Sequence, residues 1–123
     1  MEVKSQVEKA LRISDIVRIL NAKIVCGEDL DKEIEFAFAS DLMSDVLTLD
    51  TDKMLLITGL ANLQALRTAE MSDISHILFV RNKIISTEMI CLAEELGLTL
   101  LQSPASMFRT SGLLFNAGLK PLF

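Results

Sequence analysis

At 123 residues the chain has the length of one ordinary domain, so a single core is expected. Half of it is hydrophobic and its mean hydropathy is +0.41, yet its longest apolar runs stay far below the ~18 residues of a spanning helix, so no transmembrane segment is expected. A net charge of −5, twelve Lys and Arg scattered singly, and six Phe without Tyr or Trp argue against nucleic acid as a partner.

From the N-terminus, charged and apolar positions alternate (Glu2, Lys4, Glu8, Lys9, Arg12), which leaves no signal-peptide core and predicts a cytoplasmic protein. Residues 1–10 are read as an extension and 11–123 as one domain. Ser14 is placed as the N-cap of a helix with an apolar stripe at Ile16, Val17 and Leu20, ending near Asn21. A strand follows over 22–26, closed by Gly27; residues 28–32 make an acidic turn, and a second strand over 34–39 ends at Ser40-Asp41. Residues 42–49 are read as a short helix. Met54-Leu55-Leu56-Ile57 is a buried strand stopped by Thr58-Gly59, and Asn62 caps a helix through Leu63, Leu66 and Ala69 to Met71. Residues 77–80 form the next strand. Thr87 is placed as the cap of a helix with a stripe at Met89, Leu92, Ala93 and Leu96, and Gly97 as its C′ residue. Residues 98–101 make a further strand; Ser103-Pro104 then reads as N-cap and first helical position of a last helix running to about Ala117.

Apolar strands beginning near Met54, Ile77 and Leu98, separated by one helix each, have the rhythm of βαβ units. The expected fold is therefore α/β, a single domain with a mainly parallel sheet of about five strands flanked by helices. In such a sheet the strand carboxyl ends and helix N-termini gather on one rim, where ligands bind. The apolar excess has two readings, strands buried on both faces or a patch that pairs with a second copy, and a homodimer is expected.

Candidate chemistry sits on that rim. Thr58-Gly59 before Asn62 is either an anion cradle of backbone N–H groups or an ordinary strand-to-helix turn; neither GxGxxG nor GxxxxGK[ST] is present. Ser103, Ser106, Arg109 and Thr110 bring hydroxyls and a guanidinium to the start of the last helix, as an anion pocket or as a cap with a paired arginine. Asp41, at a strand end, either orients a ribose or amide group or caps the following segment. His76 is the only histidine and precedes a strand with no ligand at metal spacing. Cys26 and Cys91 are read as buried free thiols in a reducing compartment. The carboxylate pairs Glu94-Glu95 and Asp29/Asp31 have the character of solvated surface. No catalytic set, metal site or cofactor is nominated, and the chain is not expected to be an enzyme.

Several of these stretches together resemble the DRTGG domain family from about Leu11 to Leu119: Ile13-Ser14-Asp15-Ile16, Ala22-Lys23-Ile24-Val25-Cys26-Gly27, Ser40-Asp41-Leu42-Met43-Ser44-Asp45-Val46-Leu47 and Leu55-Leu56-Ile57-Thr58-Gly59. Phe108-Arg109-Thr110-Ser111-Gly112 stands at the eponymous motif, with Arg109, Thr110 and Gly112 in agreement. The resemblance implies a regulatory α/β module, often attached to CBS domains or to the N-terminal part of phosphotransacetylases, and similar in fold to the N-terminal domain of HPr kinase. The expected role is a non-catalytic sensor of a small anionic ligand, a nucleotide or phosphorylated metabolite, acting in trans on a partner enzyme. The alternative is a ligand-free adaptor that binds a partner enzyme through an apolar surface.

Overall fold

The computed structural model describes residues 10–49 and 51–123. In chain order they form β1 (Leu11–Arg12), α1 (Ile13–Leu20), β2 (Lys23–Cys26), β3 (Glu33–Ile34), β4 (Phe36–Ala39), α2 (Met43–Val46), β5 (Met54–Thr58), α3 (Leu63–Met71), β6 (His76–Phe79), α4 (Thr87–Leu96), β7 (Thr99–Gln102), α5 (Met107–Ala117) and β8 (Lys120–Pro121). No described helix is long and apolar enough to cross a membrane.

Among the described residues the main sheet has six strands in the order β2-β7-β6-β5-β4-β8, and every neighbour pair except β2 with β7 is parallel. Every residue of β5 and β6 is buried, which is why neither strand alternates polar with apolar. Successive side chains of a strand point to opposite faces, so each central strand feeds two cores. Leu56, Ile77, Phe79 and Leu100 pack with Met43 and Val46 of α2, Ala65, Leu66 and Ala69 of α3, and Met89 and Ala93 of α4. Leu55, Ile57, Leu78 and Leu101 pack on the other face with Ile13, Ile16 and Leu20 of α1 and Leu114 of α5. Strands β4 to β7 thus succeed one another across the sheet with α2, α3 and α4 on one side; α5 returns over the other side and delivers β8 beside β4.

Two edges close the sheet differently. β2 runs antiparallel to β7 with a bulge between Ile24 and Cys26, and β8 carries Pro121, a residue tolerated at an edge because it has no N–H to donate. The expected strand over 34–39 is split: Ile34 pairs with Leu11 in a small antiparallel ladder, and Phe36 begins the main-sheet strand.

The caps differ from expectation in three places. Arg12, not Ser14, is the N-cap of α1, and the Asp15 carboxylate accepts the Arg12 N–H at 3.0 Å and the Arg18 guanidinium at 3.0 Å. The Arg12 N–H first, and Arg18 second, hold the Asp15 carboxyl below its usual range. Ser86, one residue before Thr87, caps α4 by accepting the Met89 N–H at 3.1 Å. Ser106, not Ser103, caps α5 by accepting from Arg109 N–H at 3.1 Å. In the last two cases adjacent or nearby hydroxyls compete for one cap, and spacing to the apolar stripe does not separate them. Cys91 is exposed and Cys26 half-buried, with burial raising the Cys26 thiol. Cys91 lies two residues from both Met89 and Ala93, about 200° around the helix from each, and so faces solvent.

His76 opens β6 and is 1% exposed, its Nε2 lying 3.3 Å from the Asp29 carbonyl oxygen and 3.9 Å from the Asp29 carboxylate. Burial disfavours the imidazolium and holds this pKa below the ordinary 6.5, with Asp29 offsetting only part of the effect. Below pH 6.5 the unfolded chain therefore takes up a proton that the folded chain resists, and stability falls as pH drops from 6.5 towards the folded value. Urea unfolding is expected to show a larger loss between about pH 7.5 and about pH 5.5 in the wild type than in His76→Gln; equal losses would remove His76 as the cause. In the same assay Ser86→Ala and Ser106→Ala should each cost about 1 kcal/mol, while Thr87→Ala stays within about 0.5 kcal/mol.

Candidate functional site

The carboxyl ends of β4 to β7 are level, because the parallel register pairs Ala39 with Ile57, Thr58 with Phe79, and Phe79 with Gln102. Beyond them the ladder continues into the loops. Ser40 N–H donates to Ile57 O at 3.0 Å, Val80 N–H to Thr58 O at 3.0 Å and Ser103 N–H to Phe79 O at 2.8 Å. Arg81 N–H then donates to Ala105 O at 2.8 Å and Asn82 N–H to Ser103 O at 2.9 Å, tying the loop before α4 to the loop before α5. Arg81 and Asn82 are both left-handed, with φ of 62° and 54°. The loop thus turns sharply and keeps Arg81 close over the strand ends.

Asp41 organises the centre. Its Oδ1 accepts from Gly59 N–H at 2.6 Å and from the buried Thr58 hydroxyl at 3.1 Å, while the Leu60 N–H donates to Thr58 Oγ1 at 3.1 Å. A side-chain carboxylate therefore already occupies the turn that sequence reading offered to an anion. Its other oxygen, Oδ2, lies 3.7 Å from Arg81 Nη2, and both side chains are about half-exposed, at 50% and 51%. A pair so solvated is worth about 0–1 kcal/mol, so a competing anion can open it at little cost. A Cβ at Gly59 would meet the Arg81 guanidinium and push that flexible side chain aside, so the glycine lets Arg81 lie close over the turn.

Of the eight residues nominated from sequence, Asp41, Thr58 and Gly59 form this connected group. Asn62 is spent on capping α3, accepting from Ala65 N–H at 3.0 Å. Ser103 Oγ accepts the Ala105 N–H at 3.2 Å within the loop. Ser106 caps α5, and Arg109 is exposed in its first turn with no carboxylate partner among the described residues. Thr110 is fully buried; its hydroxyl and that of Ser111 have no hydrogen-bond partner among the described residues. Each of α3, α4 and α5 has its third amide capped by a side chain, which leaves the first two amides of each helix without an intrahelical acceptor.

Sequence reading missed Arg81. The signal was the basic loop Arg81-Asn82-Lys83 directly after an apolar strand, with Asn82 suited to a left-handed turn. It also missed two depressions among the described residues. One, of about 340 Å³, is apolar and lies between α5 and the β4–β8 edge, with Phe108 and Phe115 at its border. The other, of about 490 Å³, lies at the opposite end of the sheet between Gly27 and Gly97 and carries Glu28, Asp29 and Glu94.

A family model for the DRTGG domain matches residues 15–117. No curated protein matches the sequence. Among solved structures, the chain is similar to the CBS and DRTGG domains of the regulatory region of a Clostridium perfringens pyrophosphatase, complexed with the activator diadenosine tetraphosphate. The TM-score is 0.73 at 15% sequence identity, over 96% of this chain and 51% of that one. This chain spans about half the length of that structure, and at such identity the likeness is one of fold. With most of its length inside the family model and the same layered sheet beneath it, the chain belongs to the DRTGG domain family.

Proposed function

We propose that this domain is a non-catalytic regulatory module that takes up a small anionic ligand, a nucleotide or phosphorylated metabolite, on the rim beside Asp41 and Arg81, and acts in trans on a partner enzyme. The observation that carries this reading is the loose Arg81–Asp41 pair, 3.7 Å apart and half-exposed at the level carboxyl ends of the parallel strands. An incoming phosphate would compete with Asp41 for the Arg81 guanidinium and meet the uncapped first amides of the adjoining helices. Arg109 is a second guanidinium on the same side of the sheet's carboxyl end, at the start of α5. The structurally similar pyrophosphatase region was complexed with a polyphosphate activator, which supports an anionic ligand class. Binding alters a partner only if the two states of the domain differ in affinity for the ligand, and the opening of Asp41 from Arg81 supplies such a difference. The free thiols of Cys26 and Cys91 fit a reducing, cytoplasmic setting. A homodimer is part of this proposal, on the strength of the apolar surface around α5.

A ligand-free adaptor is the second reading, favoured by the exposed Phe108 and Phe115. Thermal denaturation with nucleotides and phosphorylated metabolites at millimolar concentration separates the two. A ligand at about 100 times its Kd should add about 2.7 kcal/mol, raising the midpoint by several degrees. Arg81→Ala should weaken binding by about ten- to a hundredfold. Asp41→Asn, which removes the competing charge, should strengthen it. Absence of stabilisation by every ligand would eliminate the sensor and leave the adaptor.

A further inference from the structure

The apolar depression against α5 owes its existence to small side chains. On this face β4 presents Ala37 and Ala39 where β5 presents Leu55 and Ile57, and α5 contributes Ser111 and Gly112. The resulting hollow of about 340 Å³ is large enough for an aromatic ring. Phe108 and Phe115 border it and leave 89% and 67% of their surface in water. Neither ring serves the core of its own chain.

The stripe Phe108, Ser111, Gly112, Phe115 follows the i, i+3, i+4, i+7 spacing of one helix face. It also reads the same from either end: Phe108 stands three residues before Ser111, and Phe115 three residues after Gly112. We infer that this face joins two copies of the chain, their α5 helices antiparallel across a two-fold axis between Ser111 and Gly112, with aromatic rings of each copy filling the hollow of the other. The symmetry sets Phe108 of one copy opposite Phe115 of its partner, and the small central residues let the helices approach closely. Charge points the same way: among the described residues Lys120 is the single charged one lining the hollow, so a second copy desolvates little charge there, and no described carboxylate stands in it to select a basic partner. An aromatic side chain buries about 150–250 Å² in a contact, so the two rings supply roughly 300 Å² of the about 800 Å² per partner of a stable interface. The walls of the hollow extend the patch.

The inference rests on the homodimer reading and not on anion binding at the rim. Light scattering on the intact chain should give a dimer, and Phe115→Glu should weaken it by at least about tenfold while circular dichroism stays unchanged, since that ring is exposed in the single copy. In a Cys26→Ser, Cys91→Ser background, Gly112→Cys should form a disulfide-linked dimer on mild oxidation, because a residue beside the axis meets its own mate. A Cβ at 112 meets nothing within 4 Å, so the variant leaves the single copy intact. A dimer that survives Phe115→Glu and fails to cross-link at 112 overturns this interface and leaves the homodimer reading standing. A monomer overturns both, and uptake of a small apolar dye by that monomer would assign the hollow to a ligand instead.

Discussion

The structure depends on one constraint: β5 and β6 have no polar face. A strand apolar on both sides is stable only when helices cover both, and its alternating side chains then commit the molecule to two cores rather than one. α2, α3 and α4 satisfy one face as the natural crossovers between consecutive parallel strands. The other face is covered by elements from opposite ends of the domain, α1 and α5, which therefore have to meet each other. Once both faces are closed, the strand ends and the loops beyond them are the part of the sheet that remains polar and addressable.

That is why the chemistry sits where it does. A parallel sheet points its strand carboxyl ends and its helix N-termini the same way, giving the rim an excess of N–H donors and a positive field. In this domain the excess is met from within, by the Asp41 carboxylate on Gly59 and Thr58. Asp41 behaves as a resident anion. The rim is thus not an open cradle but a closed contact with one loose side, the half-exposed Arg81, and the proposed regulation by displacement would use that asymmetry.

The parallel core was legible in the sequence because the runs at Met54, Ile77 and Leu98 carry a strong, physically forced signal: apolar on both faces and one helix apart. Short edge elements were not. β8 is two residues long and includes a proline, and its place beside β4 is set by where α5 ends rather than by any local pattern. The antiparallel direction of β2 is likewise a tertiary fact, decided by its pairing with β7 across most of the chain. At the site, Asp41 and Thr58-Gly59 could be found because strand ends are visible as composition changes. Arg81 could not be weighed against Arg109, since its place depends on a left-handed loop that folds it over Gly59, far back in the chain. Cys91 was misplaced for a related reason: apolar neighbours in sequence say little about which side of a helix a residue occupies.

The pairing of β4 with β8 has a consequence for synthesis. Phe36 lies opposite Lys120 and Ala37 opposite Pro121, so the edge of the sheet is closed by the last part of the domain to leave the ribosome. Until then, strand β4 offers an open row of hydrogen-bonding groups and the hollow beside it lacks one wall. Such distant contacts form late, after the loop entropy of the intervening chain has been overcome. Until β8 arrives, the nascent domain is accordingly open to strand exchange with a neighbouring nascent chain along this margin.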